Sequence, residues 1–371
     1  MSIEIQFKRR NLLVFLSFFA LVAASNACSN LDSQSSTAKD VPPQTPTAQA
    51  SSLLLAQSQV SVAGAGASFP APLYQRWFKE LNQKNPTIQV KYQSVGSGAG
   101  IQQLINGSVD FSASDTGMTD AEMKKVSRGV VLIPMSAGSI VLGYNLPGVT
   151  SLRLSRSTLP AIFLGEIKTW DDPKIAKDNP GVKLPKTPIT VVYHADGRTT
   201  TAIFTQHLSA ISPEWKGKIG EGKSVSWPVG VGAKGCEGAT AQIQQTQGSI
   251  GYIEYGYARS NQVPFATLQN KAGNFVAPTP INSAAALTSV QLPANLRAFI
   301  PDPPGANSYP IVSYTWILAY KTYPDANKSK ALKEALNYGL TTGQQVADEL
   351  GYIPLPSTVV SRAQAAVNSI K

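Results

Sequence analysis

The residues of this chain best suited to chemistry are hydroxyls beside glycine-rich turns, and the chemistry they suit is anion binding. Gly64 to Tyr74 (GAGASFPAPLY) runs from a small-residue strand end into Ser68, with Pro70 and Pro72 where a helix's first turn would lie. Proline fits there because the N–H it lacks would have no intrahelical partner, and Ser68 is a preferred cap. Gly96-Ser97-Gly98-Ala99-Gly100 leads into Ile101, Leu104 and Ile105 at helical spacing, which puts Ser97 at a second candidate cap. A third turn, Asp196-Gly197-Arg198-Thr199-Thr200-Thr201, lies between the strand-like run Ile189 to Tyr193 and the helical run through Ala202, Ile203, Phe204 and Leu208. Free backbone N–H groups and the positive pole of a helix make each start a ready anion site. Taken singly, any of them is equally a capped helix behind a tight turn. Three in one chain point to several helix starts aimed at one anion.

Those turns need a scaffold, and the spacing of apolar runs supplies one. Strands are expected at Val60 to Ala63, Thr87 to Gln93, Val109 to Ala113, Val130 to Pro134 and Ser139 to Tyr144, with helices at Tyr74 to Leu81, Ser97 to Asn106 and Asp120 to Lys125. The alternation predicts an α/β fold, a mostly parallel sheet flanked by helices, with ligands off the carboxyl ends of the strands. A second lobe starts near Asn145 and includes the third turn and Ser249 to Tyr257. Residues 261–308, rich in Asn, Pro and Ala, have weak periodicity, and Ile311 to Lys321 is another strand. No internal repeat indicates a solenoid.

The 371 residues carry a net charge of +10, yet the only basic run is Lys8-Arg9-Arg10. Without a basic patch, an RNA-binding aromatic motif or zinc-finger spacing, nucleic acid is not the expected partner, and dispersed cations instead favour small anions. Residues 1–27 read as an export signal, with the charged start followed by the apolar run Leu12 to Ala24. Cys28 follows Ser25-Asn26-Ala27, so two outcomes are open: lipidation of Cys28 or ordinary cleavage near it. Residues 28–59, dominated by Ser, Thr, Gln, Pro and Ala, read as a flexible tether. Cys236 is expected to be a free small residue. Two histidines and isolated cysteines give no metal-ligand spacing, and no cofactor is expected.

GAGASFPAPLY, YQSVGSGAG, DFSASDTGMTD, FLGEIKTWDDPKIAKDNPGVKLP, HADGRTTTAIFTQHLS and SIGYIEYGYA, taken together and in order, resemble the phosphate-binding protein of bacterial ABC-type phosphate importers over about residues 60–371. That resemblance implies a two-lobed periplasmic-binding-protein fold of type II-like form, hinged between lobe 1 (60–144 plus 314–371) and lobe 2 (145–313). It further implies an exported, monomeric, non-enzymatic protein of the periplasm or cell surface, touching the membrane only through any lipid on Cys28. Its partners would be inorganic phosphate and an ABC permease of the inner membrane. By matching motif, Ser68 would give its hydroxyl and Phe69 its N–H, with Ala67 lining the turn. Ser97 would give hydroxyl and amide, and Asp115 matches the discriminating carboxylate. The third motif departs from the family: His194 stands where the family has its phosphate Arg, and Arg198-Thr199-Thr200 where it has Ser-Gly-Thr.

Asp115 can be argued from chemistry alone. Phosphate at neutral pH keeps at least one P–OH donor, sulfate keeps none, and an ionised carboxylate only accepts. A buried Asp therefore welcomes phosphate and leaves sulfate facing an unpaired anion. Arg198, four residues after His194, is expected to take over the missing guanidinium's grip, oriented by Asp196, with His194 a secondary contact. Two other functions stay open: a phosphate sensor or scavenger uncoupled from transport, and a secreted phosphate-ester hydrolase using Ser68 or Ser97. Neither serine has an evident base or a GxSxG elbow.

Overall fold

The computed structural model describes residues 59–371; the expected signal peptide, Cys28 and the tether as far as residue 58 lie outside them. The βαβ rhythm appears as β1 (Val60–Gly66), α1 (Ala71–Lys84), β2 (Ile88–Ser94), α2 (Ser97–Ile105), β3 (Phe111–Ser114), α3 (Asp120–Met123) and β4 (Val130–Tyr144). Next come β5 (Arg153–Leu154), α4 (Thr158–Phe163), α5 (Pro173–Asp178), β6 (Thr190–His194), α6 (Thr199–Ile211), α7 (Pro213–Lys218), β7 (Val231–Ala233), α8 (Gly235–Gln245), β8 (Ser249–Glu254) and α9 (Tyr255–Ser260). The chain closes with β9 (Thr267–Gln269), β10 (Phe275–Val276), α10 (Pro280–Thr288), β11 (Val312–Tyr320), α11 (Ala326–Leu340) and α12 (Ser357–Asn368).

Eight strands form one sheet in the order β2-β1-β3-β11-β4-β8-β6-β7. Pairing is parallel on both flanks, where β1 lies between β2 and β3 and β6 between β7 and β8. It is antiparallel through the centre, from β3 to β11, β4 and β8. The fold is α/β with a mixed sheet, parallel on its two flanks and antiparallel through its centre.

The two strands expected at Val130 to Pro134 and Ser139 to Tyr144 are one. Strand β4 pairs with β11 as far as Ser139 and with β8 from Ile140 onward, so a single strand is shared between the two halves of the sheet. Its register against β11 jumps from Ser136 to Pro134, leaving Met135 unmatched. A bulge of this kind is where a strand tolerates a proline, which has no N–H for the ladder. In the weakly periodic segment 261–308, β9 and β10 form a small sheet with β5, followed by α10.

Apolar faces of the helices close over the sheet, and the buried tryptophans inside have their polar atoms met. Trp77, Trp170, Trp215 and Trp316 are wholly buried, and each donates its indole N–H to a backbone carbonyl. Packing is the role expected for Trp170 and Trp215. His207 is likewise structural, its Nδ1 lying 2.6 Å from the Pro301 carbonyl.

Candidate functional site

Four loops leave the carboxyl ends of β1, β2, β3 and β6, and they converge. Ser68 follows β1, Gly96 and Ser97 follow β2, Asp115 follows β3, and Asp196 to Thr200 follow β6; together they line a cleft of about 390 Å³. Small residues let the elements come this close. A Cβ on Gly100 of α2 would fall 2.4 Å from the Cα of Gly66, so only glycine there allows the helix start to press against the end of β1. Gly96, with φ of 87°, makes the left-handed step that turns β2 into α2.

The three helix starts differ from the expected caps. Pro70 and Gly96, rather than Ser68 and Ser97, occupy the N-cap positions of α1 and α2, and Arg198 occupies that of α6. None of the three helices has a side-chain cap. The hydroxyls are instead joined to one another across the cleft. Arg198 donates from Nη2 to Ser68 Oγ, and Thr199 Oγ1 donates to Ser97 Oγ at 3.0 Å. Ser97 Oγ also receives the Asp115 N–H at 3.4 Å. Asp196 Oδ2 stands 3.7 Å from Arg198 Nη1, close enough to orient the guanidinium.

Asp115 sits at the back of this arrangement, 6% exposed. Burial pushes its carboxyl up to about 7, against the opposing hydrogen bond from Thr315 Oγ1 at 2.8 Å, while Glu254 nearby raises it and Arg198 lowers it. Ser313 fixes the backbone by donating to the Asp115 carbonyl at 3.2 Å. The site thus offers a guanidinium, several hydroxyls and helix N–H groups around one buried acceptor. Such a set binds a compact oxyanion that carries a hydrogen.

Of the residues expected at the site, Ser68, Ser97, Asp115, Asp196, Arg198, Thr199 and Thr200 line the one cleft. Ala67, Phe69 and His194 are not among its lining residues. The Ala67 N–H donates to Ala113 and its carbonyl accepts from Tyr92, so both its polar groups are engaged in the wall. The ring of Phe69 packs on Gly138 and Tyr352, and its carbonyl accepts from Tyr352 Oη at 2.6 Å. His194 is 2% exposed beneath the third turn, edge-on to Tyr252, and burial lowers its pKa. Both its ring nitrogens lack a partner among the described residues.

Sequence reasoning missed Lys223 on the rim, Thr315 behind Asp115, and Glu254. Only Glu254 had a local signal, as a lone acid inside the apolar run SIGYIEYGY. Cys236 is free and wholly buried, and burial raises its thiol well above the ordinary range. Among the described residues no cluster of three or more His, Cys, Asp or Glu could hold a metal.

The family model for the PBP superfamily domain matches residues 42–340. The phosphate-binding protein PstS of Pasteurella multocida (strain Pm70) is 41% identical over 316 residues, spanning 84% of this chain and 91% of that protein. Its counterpart in Methanocaldococcus jannaschii is 36% identical over 345 residues, 85% of this chain and 87% of that one. Among solved structures, a phosphate-binding protein from Stenotrophomonas maltophilia superposes with a TM-score of 0.65 at 20% identity, covering 83% of this chain and 94% of that chain, a likeness of fold. By these matches the chain belongs to the PBP superfamily and, within it, to the PstS phosphate-binding protein family.

Proposed function

We propose that this chain captures inorganic phosphate in the cleft and delivers it to an ABC permease of the inner membrane. The observation that carries the reading is the meeting of Ser68, Ser97, Arg198, Thr199 and Thr200 around the buried acceptor Asp115. The Arg198 guanidinium and the Ser68 and Ser97 hydroxyls can donate to the anion, and the single carboxylate asks it for a hydrogen. Arg198 supplies the guanidinium that the family motif carries at the position of His194. Phe69 contributes its N–H, which has no partner among the described residues, while its ring packs on Gly138 and Tyr352.

The lobes in this reading are 60–144 plus 314–371 and 145–313, with β4 shared between them as the hinge element. Residues 1–27 direct export, and Cys28 is the lipid attachment point if the protein is anchored. No helix among the described residues is long and apolar enough to cross a membrane. We read the protein as a monomeric binding protein without catalytic turnover.

Calorimetry on protein stripped of carried-over ligand tests this. One phosphate should bind with micromolar or tighter affinity, about −8 kcal/mol or better. Sulfate in large excess should not displace it, and a chromogenic phosphate ester should not be turned over. Equal binding of the two anions would remove the role given to Asp115, and turnover would restore the hydrolase.

A further inference from the structure

We propose that Glu254 is a positioning residue that turns the Thr200 hydroxyl into a second hydrogen-bond acceptor. The site then prefers dihydrogen phosphate, with two P–OH groups, over the monohydrogen dianion. This rests on phosphate being the ligand.

Glu254 ends β8 at 3% exposure, and its Oε1 accepts from Thr200 Oγ1 at 2.7 Å. Its Oε2 has no partner among the described residues. A carboxylate can only accept and a hydroxyl has one hydrogen, so the Thr200 hydrogen is committed inward and only lone pairs are left for the cleft it lines. Opposite bonding holds on the facing wall. Ser68 receives an Arg198 N–H, and Ser97 receives both the Thr199 hydroxyl and the Asp115 N–H, so neither bond uses the serine's own hydrogen, which at Ser97 can turn to the Asp115 carboxylate or to a ligand. At Asp115, Oδ1 is taken by Thr315 and the other oxygen can accept. The Thr199–Ser97 bond joins two hydroxyls and can reverse, so the acceptor role is fixed by a carboxylate only at Asp115 and Thr200.

Charge acts in the same direction. The titratable groups near Glu254 are Asp115 after β3, His194 and Arg198 flanking the third turn, Cys236 on α8, Tyr252 on β8, Tyr257 on α9, and Tyr352. Arg198 is the one cation in this group, since burial disfavours the charged form of His194. A dianion would leave one acceptor facing an oxygen lone pair and add a further negative charge beside two carboxylates.

Phosphate affinity should be measured from about pH 6 to about pH 9 on the wild-type protein, Glu254→Gln and Thr200→Val, with circular dichroism as the folding control. For the wild type it should fall about tenfold per pH unit above the second ionisation of phosphate, because only the dihydrogen form binds well. Either folded variant should flatten that alkaline limb: the Gln amide can donate to Thr200 and release its hydrogen, and Val removes the lone pairs. Phosphorus NMR of phosphate bound to the wild type decides the matter even if neither variant folds, since the bound ion should keep the dihydrogen chemical shift at about pH 8.5. A monohydrogen shift, or alkaline limbs of equal slope in all folded forms, overturns the inference while leaving phosphate binding intact. Absence of phosphate binding at every pH overturns both.

Discussion

Helix starts in this molecule are of two kinds. Those of α3, α5, α7, α10 and α11 are closed by their own chain: Thr119, Asp172, Ser212, Thr279 and Asp325 each accept from an N–H of the first turn. The starts of α1, α2 and α6 have no side-chain cap although serine and threonine stand beside all three. Lack of a cap does not by itself mark a site, since α4, α8, α9 and α12 have none either. What separates α1, α2 and α6 is that the hydroxyls beside them bond across the cleft instead of to their own helix. Self-satisfaction stabilises a helix; the groups it leaves unused are what a ligand can take up.

The sharpest way to break this comparison is to change the acceptor the uncapped starts surround. Asp115→Asn substitutes a side chain that can donate, so sulfate should gain and phosphate lose, and the affinity ratio of phosphate to sulfate should fall about a thousandfold. Competition calorimetry reads this directly. The same substitution can be imitated by acid in the wild type. With its carboxyl raised by burial to about 7, Asp115 is protonated below that value and becomes a donor. Sulfate affinity should therefore rise as pH falls through about 7 and stay flat in Asp115→Asn. Parallel profiles in the two proteins would show that another group reads the anion.

Next in size is Arg198→Ala. It removes the one guanidinium lining the cleft and its bond to Ser68, and phosphate affinity should weaken about a hundredfold. His194→Ala should alter affinity less than Arg198→Ala, because the ring is buried under the turn and neutral. The reverse order would return the cationic role to the position the family motif gives it.

How much of this was legible in the sequence depended on how local each signal was. Turns rich in Gly, Ser and Thr after strand-like runs announced Ser68, Ser97 and Thr199, because strand end, turn and helix are adjacent in the chain. The caps were misread for the same reason: nothing near Ser68 indicates that an arginine 130 residues away takes its hydroxyl. Thr315, 200 residues from Asp115, is an ordinary strand threonine until β11 pairs with β3. Strand β4 looked like two runs because Pro134 and the small residues after it imitate a turn, and only pairing with β11 and then β8 keeps the chain extended. The long-range partners of the site were thus invisible where the local motifs were plain.

The smallest effects sharpen the comparison most, because they set one start of each kind side by side. At α11, Asp325 accepts from Asn327 N at 2.8 Å and from Lys328 N at 3.4 Å. Asp325→Ala should lower stability by about 1 kcal/mol and leave phosphate affinity unchanged within about twofold. At α2, Ser97→Ala removes a hydroxyl that caps nothing in its own helix, so the thermal midpoint of the ligand-free protein should barely move while phosphate affinity weakens about tenfold. Thermal melts with and without phosphate read both variants in one experiment. A ligand-free destabilisation by Ser97→Ala as large as that by Asp325→Ala would mean that the cleft hydroxyls hold the fold together as caps do, and the distinction between the two kinds of helix start would be lost.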